Sequence, residues 1–290
     1  MTRTHALLFV AALALAVGGG TGRATDDPAP APAEVADDEL LSELKSAPGE
    51  NEAREKKLRD LYVQAGADDD AIGLQEVSSG DPAVPALHNV VVTKKGQTDA
   101  VIVVGGHLDK VKAGLGVIDD WSGACLASNL YQTLRNLETR HTFVFVGFAY
   151  EERGLLGSKA FVAGLAPGQK GRIRAMVNLE CLGVDGPFLW TNGSTDRLEA
   201  LAHKVADAHK LTLKDHVLLG VGADSIPFEK AGIPVITFDG LPRDKFRLIH
   251  SPADTYDNIQ PARYLDAYRI VARFLLALDR EPDEVPPEAK

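Results

Sequence analysis

The stretch FVFVGFAYEERGLLGS, from Phe143 to Ser158, decides the fold. It opens as a continuous apolar run, which suits a strand buried on both faces. It continues as GLLGSKAFVAGL, residues 154–165, with apolar residues at helical spacing. Between the two lie adjacent carboxylates, Glu151 and Glu152. A buried strand feeding a helix is the unit of a parallel sheet covered on both faces, and ligands of such sheets bind beyond the strands' carboxyl ends.

Outward from this stretch the same alternation repeats. HNVVVTKK (residues 88–95), DAVIVVGG (99–106), IRAMVNLE (173–180) and IPVITFDG (233–240) read as strands. A hairpin about Gly96 is one reading of the first two. Helices are expected near residues 52–65, 122–136, 196–210 and 262–278. The fold class is therefore α/β, one domain over residues 39–280, with a mostly parallel, mixed central sheet and helices on both faces. Residues 25–38 and 281–290 are Pro-rich and acidic, and read as a disordered linker and tail. Arg3 and His5 precede an apolar run from Ala6 to Val17, shorter than the roughly 20 residues of a membrane span. Residues 1–24 are accordingly read as a signal peptide cleaved near Ala24, with an uncleaved anchor helix as the alternative. The protein is then exported, periplasmic or secreted, and keeps no integral membrane span. The net charge of −10 argues against nucleic acid and anionic membrane as partners. Cys125 and Cys181 read as two buried thiols, though pairing is not decided by sequence.

Each core strand is followed by polar residues. DAVIVVGG leads to His107 and Asp109, with Asp119 and Asp120 before the next helix. Glu151 and Glu152 follow the second strand, Glu180 ends the third, and the fourth leads into a loop bearing His250. So many acids cannot gather uncompensated. Two carboxylates about 4 Å apart repel by roughly 4 kcal/mol at an effective dielectric near 20. Arg153 alone does not neutralise them. A metal is the economical answer, and mixed His and carboxylate ligands suit zinc.

GGHLD, GVIDDWSG, AYEERGLLGS, VNLECLG and IHSPADT occur in the order found in the co-catalytic di-zinc peptidases, metallopeptidase family twenty-eight. The chain resembles that family over roughly residues 85–275. The family includes leucyl-type aminopeptidases, glutamate carboxypeptidases and glutaminyl cyclases, and its fold is the zinc-exopeptidase one. The resemblance implies two zinc ions. His107 and Glu180 would each bind one ion, Glu152 and His250 would bind the other, and Asp119 would bridge both. Asp109 would orient His107 through its second ring nitrogen. Glu151 would be the general base toward a di-zinc-activated water. The activity implied is an aminopeptidase acting on short peptides. Carboxypeptidase or dipeptidase specificity, or a catalytically silent binding domain, are the alternatives.

The chain also departs from the family pattern. Position 180 is Glu where Asp is commoner. Trp121 stands where a small residue is usual and is expected to narrow the cleft. The segment Ala223-Asp224-Ser225 lacks a histidine found in relatives, and no tyrosine lies between Tyr150 and Tyr256. Glutaminyl cyclase is disfavoured because cyclases lack the DDxSG form that DDWSG fits. A two-carboxylate glycosidase would need no histidines. Arg243, Lys245 and Arg247 read as a solvated basic loop, or else as a clamp for a substrate carboxylate. His141, His203, His209 and His216 have no partners at ligand spacing and read as surface or strand-edge residues.

Overall fold

The computed structural model describes residues 34–282. The stretch read as a signal peptide, most of the linker and nearly all of the tail lie outside the described residues. Among those described, no helix is long and apolar enough to cross a membrane.

Two helices lead in, α1 (Asp37–Lys45) and α2 (Asn51–Gln64). Then come β1 (Ile72–Val77), β2 (Leu87–Lys94), β3 (Val101–His107), α3 (Ser122–Leu134), β4 (Thr142–Phe148) and α4 (Leu156–Ala163). The second half holds β5 (Ile173–Glu180), β6 (Phe188–Trp190), α5 (Asp196–His209), β7 (Lys214–His216), α6 (Ser225–Lys230), β8 (Val235–Asp239) and α7 (Pro261–Arg280). The eight strands form one sheet in the order β1-β2-β4-β3-β5-β8-β6-β7. Its centre, β4-β3-β5-β8, is parallel. β1 and β2 add antiparallel on one side, and β6 runs antiparallel to β8 on the other. This is the mixed, mostly parallel sheet expected from the alternation of elements.

The apolar run of β4 shows why its strand is continuous rather than alternating. Phe143 and Phe145 point into the larger core cluster, with side chains of α1, α2, α3, α5 and α7. Val144, Val146 and Phe148 point the other way, into a cluster with Phe161 of α4 and Phe228 of α6. Both faces of the strand are thus covered, and every residue from Phe143 to Phe148 is buried.

The hairpin about Gly96 does not form. β4 lies between β2 and β3, so the two strands flanking Gly96 are not neighbours. The connection instead crosses the start of β4, where Gly96 N–H donates to Thr142 Oγ1 and Gln97 N–H to the Thr139 carbonyl. Helix α1 begins at Asp37, inside the stretch read as linker, and buries Leu40 and Leu44.

Candidate metal centre

The parallel strands end on one side of the sheet, and their ends carry the polar residues. β3 ends at His107, and β5 ends at Glu180. Three of the residues at these ends take left-handed backbone angles: Tyr150 (φ 57°) before Glu151, Cys181 (φ 48°) after Glu180, and His250 itself (φ 55°). Such conformations cost of order 1–3 kcal/mol each in non-glycine residues and cluster at functional sites. The Asp119–Asp120 peptide bond is cis.

Asp119 stands at the middle. Its Oδ1 lies 3.0 Å from His107 Nε2, and its Oδ2 lies 3.0 Å from His250 Nε2. His250 Nε2 is also 3.0 Å from Glu152 Oε2, and His107 Nε2 is 3.8 Å from Glu180 Oε1. Among the described residues, His107, Asp120 and Glu180 form one group able to hold a metal ion, and Asp119, Glu152 and His250 form another. Glu151 approaches from the side, its Oε2 3.9 Å from His107 Nε2. The five residues named as ligands from the sequence and Glu151 are therefore brought together.

Asp109 is there too, by a different contact from the one expected. His107 Nδ1 lies 3.1 Å from the Asp109 carbonyl oxygen and 3.7 Å from its carboxylate. The carboxylate instead accepts the backbone N–H groups of Glu151, at 2.9 Å, and Glu152, at 3.4 Å. One residue thus fixes the ring with its backbone and the Glu pair with its side chain. Asp120 is a buried acceptor for His107 N–H, Gly123 N–H and Cys181 N–H, tying β3, α3 and the end of β5 together. Asp254 accepts from Ile118 N–H at 2.7 Å and Asp119 N–H at 3.3 Å, so it orders the Asp119 loop as well as its own.

The electrostatics show an excess of negative charge. Burial pushes the Glu151 carboxyl up to about 8; His107 offsets part of this, and the charges of Asp224, Asp119 and Glu152 add to it. Burial likewise raises Glu180 well above its usual range. Asp119 goes the other way. Burial opposes its charge, but hydrogen bonds from His107 and His250 outweigh that and hold it low. The hydrogen bond to Asp119 is the main cause that raises His250, to about 9. Glu152 Oε1 is buried with no hydrogen-bond partner. Two imidazoles, several acids and an orphaned carboxylate oxygen at ligand spacing fit divalent cations of the zinc type.

Two residues of the site were given no role by the sequence. Asp224, fully buried, lies near enough for its charge to act on Glu151. Arg54 of α2 is fully buried, stacks 5.2 Å from the Trp121 ring and donates to carbonyls of the loop after His107. Trp121 is itself fully buried and does not narrow the cleft; it stacks on Arg54 in the core.

A cleft of about 870 Å³ opens beside Asp109 and Glu152, walled by Asn51, Pro85, Lys110 and Tyr150 among others. Lys245 and Arg247 line a second, smaller cleft of about 360 Å³ with Asp257 and Gln260. Three of the remaining histidines have acid partners rather than none: His141 with Asp279 at 3.2 Å, His203 with Asp215 at 2.8 Å, and His216 with Asp239 at 2.7 Å. Cys125 and Cys181 are free and buried.

Residues 89–275, well over half the chain, match the description of peptidase family M28. The chain belongs to that family. An aminopeptidase of Pseudomonas aeruginosa is 33% identical over 112 residues, which is 38% of this M28 chain and 21% of that protein. The solved structure of an aminopeptidase from Aneurinibacillus sp. strain AM-1 is 27% identical with a TM-score of 0.61, covering 71% of this chain and 51% of that one. The chain therefore spans from a fifth to about half of these relatives. A glutaminyl cyclase from an Acidobacteriales bacterium shares the M28 fold at a TM-score of 0.72 and 21% identity, covering 89% of this chain and all of that one.

Proposed function

We propose that this M28 chain is an exported, metal-dependent exopeptidase, an aminopeptidase that removes N-terminal residues from short peptides. The observation that carries the reading is Asp119, whose two oxygens each face a different histidine at 3.0 Å. On this reading His107, Asp119 and Glu180 would hold one zinc ion, and Asp119, Glu152 and His250 a second. Such ions supply Lewis acidity, which acidifies water and polarises a carbonyl.

The chain's own residues do the rest. The Asp109 carbonyl accepts from His107 Nδ1–H, so Nε2 is the ring nitrogen turned toward Asp119 and the site, the one that would lose its proton to an ion there. Glu151, held at its backbone by Asp109, takes the proton of the attacking water and delivers it to the leaving amine. The surplus of carboxylates favours a free α-ammonium group at the site over a carboxylate. That supports amino-terminal over carboxy-terminal specificity. The placement of Lys245 and Arg247 in the other cleft gives no support to a carboxylate clamp beside Glu152. The basic residues and apolar run at residues 3–17 support export.

The test is a panel of aminoacyl anilides, N-blocked peptides and peptides with N-terminal glutamine, each with and without chelator. The expected outcome is chelator-sensitive release from free-amine substrates only. Turnover of N-blocked peptides would instead support a carboxypeptidase, and ammonia release from N-terminal glutamine a cyclase. No turnover of any of them would point to the silent domain.

A further inference from the structure

The loop between His107 and Asp119 joins two of the candidate ligands, yet residues 108–116 contain no helix or strand. A segment without its own backbone ladder leaves its carbonyls and amides to be satisfied elsewhere, or it moves. Here groups of both kinds are taken up near the two ends of the segment. The first turn of α2, more than fifty residues upstream, holds the carbonyl side. Arg54 donates Nε–H to the Leu108 carbonyl, Nη1 to Leu115 at 2.9 Å and Nη2 to Gly116 at 2.9 Å. At the start of the same turn, Asn51 grips Lys110 twice: its Oδ1 accepts from Lys110 N–H at 3.0 Å and its Nδ2 donates to the Lys110 carbonyl at 3.3 Å. Asp254, four residues past His250, takes amides of the same segment: its carbonyl accepts from Leu115 N–H and its carboxylate from Ile118 and Asp119.

We propose that Arg54 and Asn51 form a brace that sets the spacing of His107 and Asp119, and hence the affinity of the centre for its ions. The inference rests on the metal reading given above. Arg54 is a positioning residue: its hydrogen bonds go to carbonyls of the loop, and none goes to a ligand side chain. Its three bonds fan out from one planar fork, whose central carbon lies 5.2 Å from the ring centre of Trp121, the residue two past Asp119. It is also a full positive charge buried beneath Asp109, Asp120, Asp254 and Asp119. A lysine at 54 keeps the charge, but a compact ammonium does not reproduce a fork spread over three carbonyls. The geometry therefore separates the two contributions.

The experiment measures zinc affinity of the intact chain by competition with a chromophoric chelator, for wild type, Arg54→Lys and Asn51→Ala. Circular dichroism and melting of the metal-free proteins are followed alongside. The expected result is at least a tenfold weaker uptake in Arg54→Lys and about threefold in Asn51→Ala. In Arg54→Lys, whose side chain does not line the cleft, this is accompanied by a fall in kcat with KM held within twofold. Asn51 is only partly buried, so its variant decides the matter should Arg54→Lys fail to fold. Wild-type affinity in Asn51→Ala, with Arg54→Lys either unchanged or unfolded, would overturn the brace while leaving the metal reading intact. Wild-type protein that takes up no zinc would overturn the metal reading and the brace together.

Discussion

Glu151 and Glu152 are neighbours in sequence with separate placements, and the difference is made by what each can reach. Glu152 Oε2 meets His250, whereas Glu151 comes no nearer than 3.9 Å to His107. On the proposed reading, replacing Glu151 by Gln keeps the shape and removes the base. The expected outcome is a loss of about 10²–10⁴ in kcat, with metal content unchanged by elemental analysis. Loss of metal together with activity would instead mark Glu151 as a ligand. The residues of this site were legible in the sequence where a histidine or acid closes a strand or follows within a few residues: His107 and Glu180 end β3 and β5, and Glu151 and Glu152 come soon after β4. Arg54 and Asp224 were not. Arg54 lies on a helix far upstream and acts through backbone carbonyls, a contact that leaves no spacing rule in the sequence. Asp224 stood in a segment noticed for a missing histidine, and its role depends on burial beside Glu151.

Among the elements, the junction of β3, α3 and β5 shows why glycines precede and follow the acid pair. A Cβ on Gly106 would stand 2.5 Å from Asp120 Oδ2, and one on Gly123 would overlap the same carboxylate and stand 2.5 Å from the Leu179 carbonyl oxygen. The start of α3 thus packs directly on the ends of two strands with Asp120 as the shared acceptor. Gly123→Ala is expected to cost about 1–3 kcal/mol by overpacking and to weaken metal uptake, read by urea unfolding and zinc titration. Gly171→Ala is the control, since its Cβ meets nothing within 4 Å; its change should stay within about 0.5 kcal/mol. Equal effects in the two variants would refute this account. The long elements were readable because their apolar spacing is regular. The strands β6 and β7 were not: three residues each are too short to show a period. β1 was also missed, since an edge strand with Leu74 exposed lacks the contrast between faces that marks a half-buried strand. The order of β2, β4 and β3 was hidden because pairing partners are set by long-range packing, and adjacency in sequence suggested a hairpin.

At the scale of the whole molecule, the last helix is tied back to the central sheet. Asp279 near the end of α7 accepts from the backbone N–H groups of Arg140, at 3.0 Å, and His141, at 2.8 Å, just before β4. Burial opposes the Asp279 charge, but the His141 side chain and these two amides outweigh it, and the carboxyl sits below its ordinary value. A folded-state pKa below the unfolded one means stability that is present above the unfolded value, near 3.8, and lost as pH falls through the lower folded value. Asp279→Asn should therefore cost about 1.5–3 kcal/mol at neutral pH, the worth of hydrogen bonds to a charged group. The gap to wild type should narrow below about pH 4, checked by urea unfolding at pH 7 and pH 3. A gap independent of pH would remove the titration from the explanation. The centre itself gives the molecule a different coupling. Asp119 divides its two oxygens between partners on opposite sides, so it cannot turn to suit one without deserting the other. On the two-ion reading, swapping the occupant on one side then changes how fast the occupant opposite leaves, and exchange at the two positions would have to be followed as one linked process.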